Sequence, residues 1–189
     1  MKKITLFIII LATIVSFTAC EQKFGSDVTP QAPVSIVGKW SISGFGTITN
    51  IKTYEATLQE IKSTPKIDTT MVSALATGVS FDFKQDGTYA AGKTVGTWKT
   101  KDSNKTIDLI TKDNTGKESV QTFSVLELTA NSLKLGSKKF TKNASGNIEA
   151  GDFSDLPFML LGSLAIGVKG SQKEFDDATF LQGTLIFKR

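Results

Sequence analysis

Short runs in which apolar and polar residues alternate, separated by turn residues, occupy most of this 189-residue chain. Successive side chains of a β-strand point to opposite faces, so such runs predict strands with one buried face. The first predicted strand places these residues on one face: Val34, Ile36, Gly38, Trp40 and Ile42. The last, Thr179–Lys188, places these on one face: Leu181, Gly183, Leu185 and Phe187. The alternation therefore predicts a mostly β chain.

Turn residues divide the middle of the chain into further strands. The predicted strands are Val79–Lys84, Thr88–Ala90, Val95–Thr100, Thr106–Thr111, Ser119–Leu128, Ser132–Leu135 and Lys139–Thr141. Asp86-Gly87 predicts a two-residue hairpin turn after the first of them. The apolar phase changes from Phe123 and Val125 to Leu126 and Leu128, which predicts a β-bulge. Eight or nine antiparallel strands at this spacing indicate a barrel or a sandwich.

Two stretches depart from the alternation and predict helical insertions. Thr53–Ala76 has apolar residues nearer to helical spacing, and Pro65 divides it into two short helices. Ser154–Val168 begins with a capping residue and a proline in the first turn, and it is apolar on nearly every side. It is too short to span a membrane, so it must be covered by protein, lipid or ligand. Glu174–Asp177 is predicted to lie in a polar loop.

The N-terminus has the layout of a secretory signal peptide. Two lysines precede an apolar run from Ile4 to Ser16, and Phe17-Thr18-Ala19-Cys20 resembles the lipobox of bacterial lipoproteins. The run is shorter than the roughly 20 residues that span a bilayer. We therefore expect a signal peptide at 1–19, an acylated Cys20 carrying palmitate-type chains, a flexible tether at 20–33 and one domain at 34–189. An ordinary thiol at Cys20 is the alternative. Acylation implies a cell-envelope protein anchored to the outer membrane, on its periplasmic or surface face.

The composition excludes several classes of chemistry. The chain has no histidine and one cysteine. This composition excludes the usual Ser–His–Asp and Cys–His catalytic groups and the common zinc sites. It also excludes disulfides once Cys20 is acylated. The formal net charge of +4 loses Lys2 and Lys3 with the signal peptide and becomes +2, and no basic cluster remains. We expect no nucleic-acid partner and no cofactor.

The ordered set of strand motifs resembles a known family. Gly38-Lys39-Trp40 resembles the G-x-W signature of lipocalins. The segments Phe81–Tyr89, Gly96–Lys99, Phe123–Thr129 and Leu133–Leu135 follow in an order similar to that of lipocalin-like domains in Bacteroidetes lipoproteins. This resemblance implies a lipocalin-like barrel in which Trp40 lies at the closed end under a basic residue, either Lys188 or Arg189. A frayed C-terminus is the alternative.

The barrel interior is the predicted ligand site. An eight-stranded barrel either holds one small ligand or is filled by its own side chains. The predicted ligand-binding residues are Phe81, Phe83, Tyr89, Trp98, Phe123, Phe158 and Leu161. The same residues serve equally as an ordinary apolar core.

Three classes of function are weighed. The first is a membrane-anchored module that binds a small hydrophobic ligand or lipid. The second is a structural or interaction subunit of an envelope complex, with a filled barrel and the apolar helix as its docking surface. The third is an enzyme, for which the sequence offers only the acidic groups Asp82/Asp86 and Glu174/Asp176/Asp177. Turns and solvated surface explain those acids, so we expect no enzymatic activity.

Overall fold

Eight antiparallel strands close into a barrel in the computed structural model. The structure describes residues 34–64, 80–149 and 156–189, the last range without the side chains of 156–158 and 161. The described elements are β1 (Gly38–Thr49), β2 (Thr53–Thr57), α1 (Leu58–Ser63), β3 (Ser80–Phe83), β4 (Thr88–Ala91), β5 (Thr94–Lys101), β6 (Thr106–Lys112), β7 (Glu118–Leu128), β8 (Ser132–Gly136), β9 (Phe140–Thr141), α2 (Leu156–Lys169), α3 (Gln172–Asp177) and β10 (Phe180–Lys188). Five predictions lie outside the described residues: the signal peptide, Cys20, the tether, the second helix after Pro65 and the capping residue at the start of Ser154–Val168.

The barrel closes because β1 pairs with β10, near the other end of the chain. Around the ring the strand order is β1-β3-β4-β5-β6-β7-β8-β10, and the β1–β10 register places Phe45 opposite Leu185. Two extra strands flank the seam, since β2 pairs with β1 and β9 pairs with β10. The predicted mostly β class and the eight-stranded antiparallel barrel are confirmed. Of the two architectures that the sequence left open, closure selects the barrel.

The two seam strands are buried on both faces over part of their length, since Gly44–Thr47 in β1 and Leu181–Leu185 in β10 are consecutive buried residues. In β10, the predicted inward residues Leu181, Leu185 and Phe187 are buried. In β1, the ladder to β10 shifts register between Ile42 and Gly44. The first residues of β1, 38–41, pair with β3, whereas 44–48 pair with β2. The later half of β1 therefore continues past β3 and forms, with β10 and β2, the surface that α2 covers.

One predicted helix begins with a strand instead. Thr53–Thr57 was expected to be helical, but it forms β2, where buried Tyr54 and Ala56 alternate with exposed residues. Hairpin pairing with β1 satisfies one edge of its backbone, and this contact outweighs local helical preference. The helix follows at once as α1, where Thr57 and Glu60 form a reciprocal capping box.

Local turn chemistry is close to the predictions, with two corrections. The hairpin after β3 is not a two-residue turn. The Gly87 amide donates to the Lys84 carbonyl, and Gly87 has φ +81°. Both features are typical of longer hairpin loops, which end in a residue of left-handed conformation. The predicted polar loop at Glu174–Asp177 belongs to α3, which Ser171 and Glu174 cap. The predicted bulge in β7 is confirmed by a register shift between Val125 and Glu127.

A glycine lets an aromatic ring lie flat inside the barrel. Gly96 of β5 pairs with Tyr89 of β4. A Cβ added at Gly96 would come within 2.8 Å of the Tyr89 ring and 2.3 Å of the Ile110 carbonyl oxygen. The Tyr89 ring therefore occupies the space that any larger residue at position 96 would need.

Candidate ligand-binding site

Aromatic side chains occupy the interior of the barrel. Phe83 has no exposed surface, and its ring centroid lies 6.0 Å from that of Phe81, 6.1 Å from that of Tyr89 and 5.6 Å from that of Trp98. Phe187 meets Phe81 edge to face at 5.2 Å. Edge-to-face and offset pairs at these separations are favourable beyond their burial of area. We call Phe81, Phe83, Tyr89, Trp98 and Phe187 the aromatic cluster.

The structure brings together four of the predicted ligand-binding residues. Phe81, Phe83, Tyr89 and Trp98 belong to the aromatic cluster, while Phe123 is buried in the same apolar core. Phe158 and Leu161 fall in α2, but their side chains are outside the described part of the structure. Whether these residues contact a ligand stays a prediction. Sequence reasoning placed Phe187 on the inward face without including it in the site.

Both tryptophans have their indole N–H groups bonded within the protein. The Trp40 indole nitrogen donates to the Ile36 carbonyl at 2.7 Å, and that of Trp98 donates to the Lys84 carbonyl at 3.1 Å. A polar ligand group would have to displace one of these bonds. The chemistry that the aromatic cluster offers to a ligand is therefore chiefly apolar contact.

Arg189 covers Trp40 at one end of the barrel, which we call the Trp40 end. The guanidinium carbon lies 4.3 Å from the centroid of the indole ring, within cation–π range. The same guanidinium donates to the carbonyl oxygens of Ser35, Val37 and Ala130, at 2.9, 2.7 and 3.2 Å. Gly38, with φ +133°, has no side chain to keep the guanidinium away. Gly38, Trp40 and Arg189 thus meet as one group.

The apolar helix α2 lies at the opposite end of the seam. The Thr47 hydroxyl donates to the Gly162 carbonyl, and Thr47 is seven residues along β1 from Trp40, about 23 Å in an extended strand. Leu164 and Val168 pack against the barrel core. Ala165 and Ile166 pack with Tyr54 and Leu181 in a second cluster. Strands β1, β2 and β10 therefore cover these apolar side chains of α2, as the composition of the helix predicts.

Tyr54 presents a buried polar group that the sequence did not reveal. Its side chain is 1% exposed, and its hydroxyl has no hydrogen-bond partner among the described residues. Burial, followed by the nearby Glu174 carboxylate, raises the pKa of Tyr54. Beside it, a groove of about 330 Å³ between α2 and α3 is lined by residues that include Ile166, Gly170 and Phe175. Nothing in the spacing of β2 signalled a buried phenol at this position.

An ion pair joins α1 to α2. The Lys169 ammonium donates to the Glu60 carboxylate, and Glu60 also accepts from the Thr57 amide at 2.9 Å. The Lys169 ammonium lowers the pKa of Glu60 most, and the Thr57 amide and hydroxyl lower it further, to about 2. An unfolded glutamate titrates near pH 4.3. The carboxylate therefore stabilises the fold above about pH 4.3, and this contribution is lost as the pH falls towards 2.

We expect Glu60→Gln to remove this pH dependence selectively. Glutamine keeps the capping box but carries no charge for Lys169. The free energy of unfolding of the parent protein and of Glu60→Gln is measured in urea at pH 7, 5, 4, 3 and 2. We expect the difference between them to be constant down to about pH 5 and to shrink at lower pH. Lys112→Gln, which breaks an exposed surface pair with Glu118, is the matched control. A Glu60→Gln difference that is the same at pH 7 and pH 2 would contradict the assignment.

Four of the five acidic residues weighed for catalysis, all except Asp82, have structural partners among the described residues. Asp86 accepts from the Thr88 amide and hydroxyl in the hairpin turn, and Glu174 forms an ion pair with Lys52 at 2.5 Å. Within the described residues, no group of three or more acidic, histidine or cysteine side chains is arranged to hold a metal ion. None of the described helices has the length and apolar character needed to cross a membrane.

The fold and the site define a closed eight-stranded antiparallel barrel with an aromatic interior, one covered tryptophan end and a helix at the other end of the seam. Comparison with known proteins adds no relative: no protein-family model, no curated protein and no solved structure matches the chain.

Proposed function

We propose that this chain is a lipid-anchored envelope protein of the lipocalin type that binds a small hydrophobic molecule or lipid. The observation that carries the proposal is the closed barrel with its aromatic cluster, and with α2 packed on the end of the seam opposite Trp40. Eight strands leave an interior of the size that holds one small ligand or a filled core. The lipobox-like segment at Cys20 supports attachment to the outer membrane and export from the cytoplasm.

The groups inside the barrel favour an apolar ligand over a charged one. The aromatic cluster provides rings, and the indole N–H groups of Trp40 and Trp98 are already bonded to carbonyls. A charged headgroup buried there would lose its hydration without gaining an ion pair. A ligand that suits this interior has an apolar body, with any polar end near α2 or in solvent.

A second candidate function rests on the same cluster. The rings contact one another, and many of the core side chains are fully buried, as expected for a barrel that fills its own interior. In that case the protein is a non-enzymatic structural or interaction subunit of an envelope complex. The two candidates differ in whether the purified barrel carries a molecule.

Native mass spectrometry of the mature protein, purified gently from its own host, tests the choice. We expect a mass above that of the acylated chain by one small molecule, which is lost on denaturation. Phe81→Trp adds volume to the half-buried interior position and should abolish the adduct. Phe180→Trp, a half-buried position outside the core cluster, is the matched control and should retain it. A bare mass in the parent protein would favour the interaction subunit.

A further inference from the structure

The outer surface of the barrel carries an exposed apolar face across β4 to β7. Val95 is 70% exposed and Val120 is 54% exposed, the two highest values among the exposed large apolar residues of the described structure. Ala90 pairs with Val95 and Ile110 pairs with Val120, and Thr97, the β5 partner of Ile110, lies between the two pairs. We call Ala90, Val95, Ile110 and Val120 the valine face. Alternation places these four side chains on the outside of the barrel, whereas the rings of the aromatic cluster are inside.

A groove of about 480 Å³ runs over this face. Its lining is mostly apolar and includes Ala90, Val95 and Ile110 together with Lys84 and Lys112, but no carboxylate. Asp82, opposite Ala90 in the β3–β4 ladder, is the acidic residue nearest to Ala90 in the register. Lys112 also pairs with Glu118 at 3.2 Å, an exposed contact of little energetic weight. Apolar side chains flanked by lysines suit the boundary between headgroups and acyl chains of an anionic bilayer.

Other occupants fit the face less well. β4, β5, β6 and β7 each have a strand neighbour on both sides in the closed ring, so strand addition is limited to the stretches where a ladder is incomplete, such as β7 before Ser124. Four small or medium side chains also cover much less than the roughly 800 Å² that each partner buries in a stable protein complex.

The tether makes even a weak bilayer contact effective. Residues 20–33 precede the first described residue, Val34, at the Trp40 end, and 14 extended residues span at most about 50 Å. The longest strand after β1, β7, has 11 residues and is about 36 Å long. An anchored chain can therefore lie on its side against the membrane. Tethering raises the local concentration to the millimolar range, so an affinity too weak for a free protein suffices.

We propose that the valine face rests on the anionic lipid bilayer to which the chain is anchored. This inference depends on the acylation of Cys20 in the proposed function. It adds an orientation: the side of the barrel at β5–β7 faces the lipid, and the seam with β2 and α2 faces away. These two sides are opposite each other because β1 and β6 are four strands apart in either direction around the ring.

A site-specific fluorophore on the full acylated chain tests the orientation. Acylation occupies Cys20, the single native cysteine, so one introduced cysteine can be labelled with a polarity-sensitive dye. Val95→Cys is the test position. Ile51→Cys, 44% exposed in the connection after β1, is the matched control. The proteins are placed in vesicles of 7:3 phosphatidylcholine and phosphatidylglycerol that contain a lipid with a quenching nitroxide near the headgroup.

We expect the dye at position 95 to be quenched about threefold or more relative to position 51, with a shift to shorter emission wavelength. Adding Lys84→Gln and Lys112→Gln should reduce this ratio, because each lysine near an anionic surface contributes to attraction. Equal quenching at the two positions, or none at position 95, would overturn the proposal. A spectral shift at position 95 that occurs only after an envelope protein extract is added would also overturn the proposal, because the partner would then be a protein.

Flotation of the same vesicles separates this inference from the proposed function. If both labelled proteins fail to float, the anchor is absent, and the proposed localisation and this inference fail together. If both float but are quenched equally, only the orientation fails. Ligand binding inside the barrel is measured independently by native mass spectrometry and is unaffected by either result.

Discussion

Replacing Phe83 with alanine should lower the free energy of unfolding by about 3–5 kcal/mol, the usual range for removing a buried phenylalanine. The ring is fully buried and contacts Phe81, Tyr89 and Trp98. Its loss removes transfer free energy and leaves a cavity that β-strands held in a closed ring cannot easily collapse. Urea unfolding followed by circular dichroism measures the change.

Phe180→Ala provides the matched control for Phe83→Ala. Phe180 is also on a barrel strand, but it is half-buried and lies under the Lys139 ammonium at 4.7 Å. We expect a loss of about 1 kcal/mol there. A loss below about 1 kcal/mol for Phe83→Ala would contradict the assignment of the aromatic cluster to the stabilising core.

Arg189→Ala should destabilise the barrel by about 1–3 kcal/mol, because it removes three hydrogen bonds to carbonyl oxygens and the cation over Trp40. The indole would then lose its cover at the Trp40 end. Arg189→Lys keeps the charge but loses the planar fork that reaches several carbonyls at once, so we expect it to restore only part of the stability.

A double-mutant cycle isolates the ring contact. We expect Trp40→Phe and Arg189→Ala to be non-additive by about 0.5–2 kcal/mol, because the two side chains touch. Thermal or urea unfolding of the four proteins gives the coupling energy. Full additivity would show that Arg189 acts only through its hydrogen bonds to the backbone, and the cation–π assignment would then be wrong.

The strands and their buried faces were predictable because they depend on neighbours along the chain. Alternation gave the inward positions of β10, and the phase change near Val125 gave the bulge of β7. The strand aromatic residues assigned to the interior, from Phe81 to Phe123, lie there because side chains on alternate residues must share a face. Their use by a ligand depends on the space left between them, which no local pattern contains.

Contacts outside the alternating pattern decided the remaining features. Thr53–Thr57 is a strand because it forms a hairpin with the adjacent β1, and Tyr54 is buried because α2 and α3, distant in sequence, cover it. The groove over the valine face likewise exists only once β4, β5 and β6 are curved side by side. Each depends on packing that local preferences neither require nor forbid.

The amino-acid sequence by itself determined the β class, the strand positions, most of the inward faces and the predicted lipid-anchor signal, since period and turn chemistry act over a few residues. Only the tertiary structure decided that the sheet closes, because closure pairs Phe45 with Leu185 across most of the chain. The same closure sets Arg189 over Trp40. A barrel and a sandwich have the same alternation, and the pairing of the first and last strands is what distinguishes them.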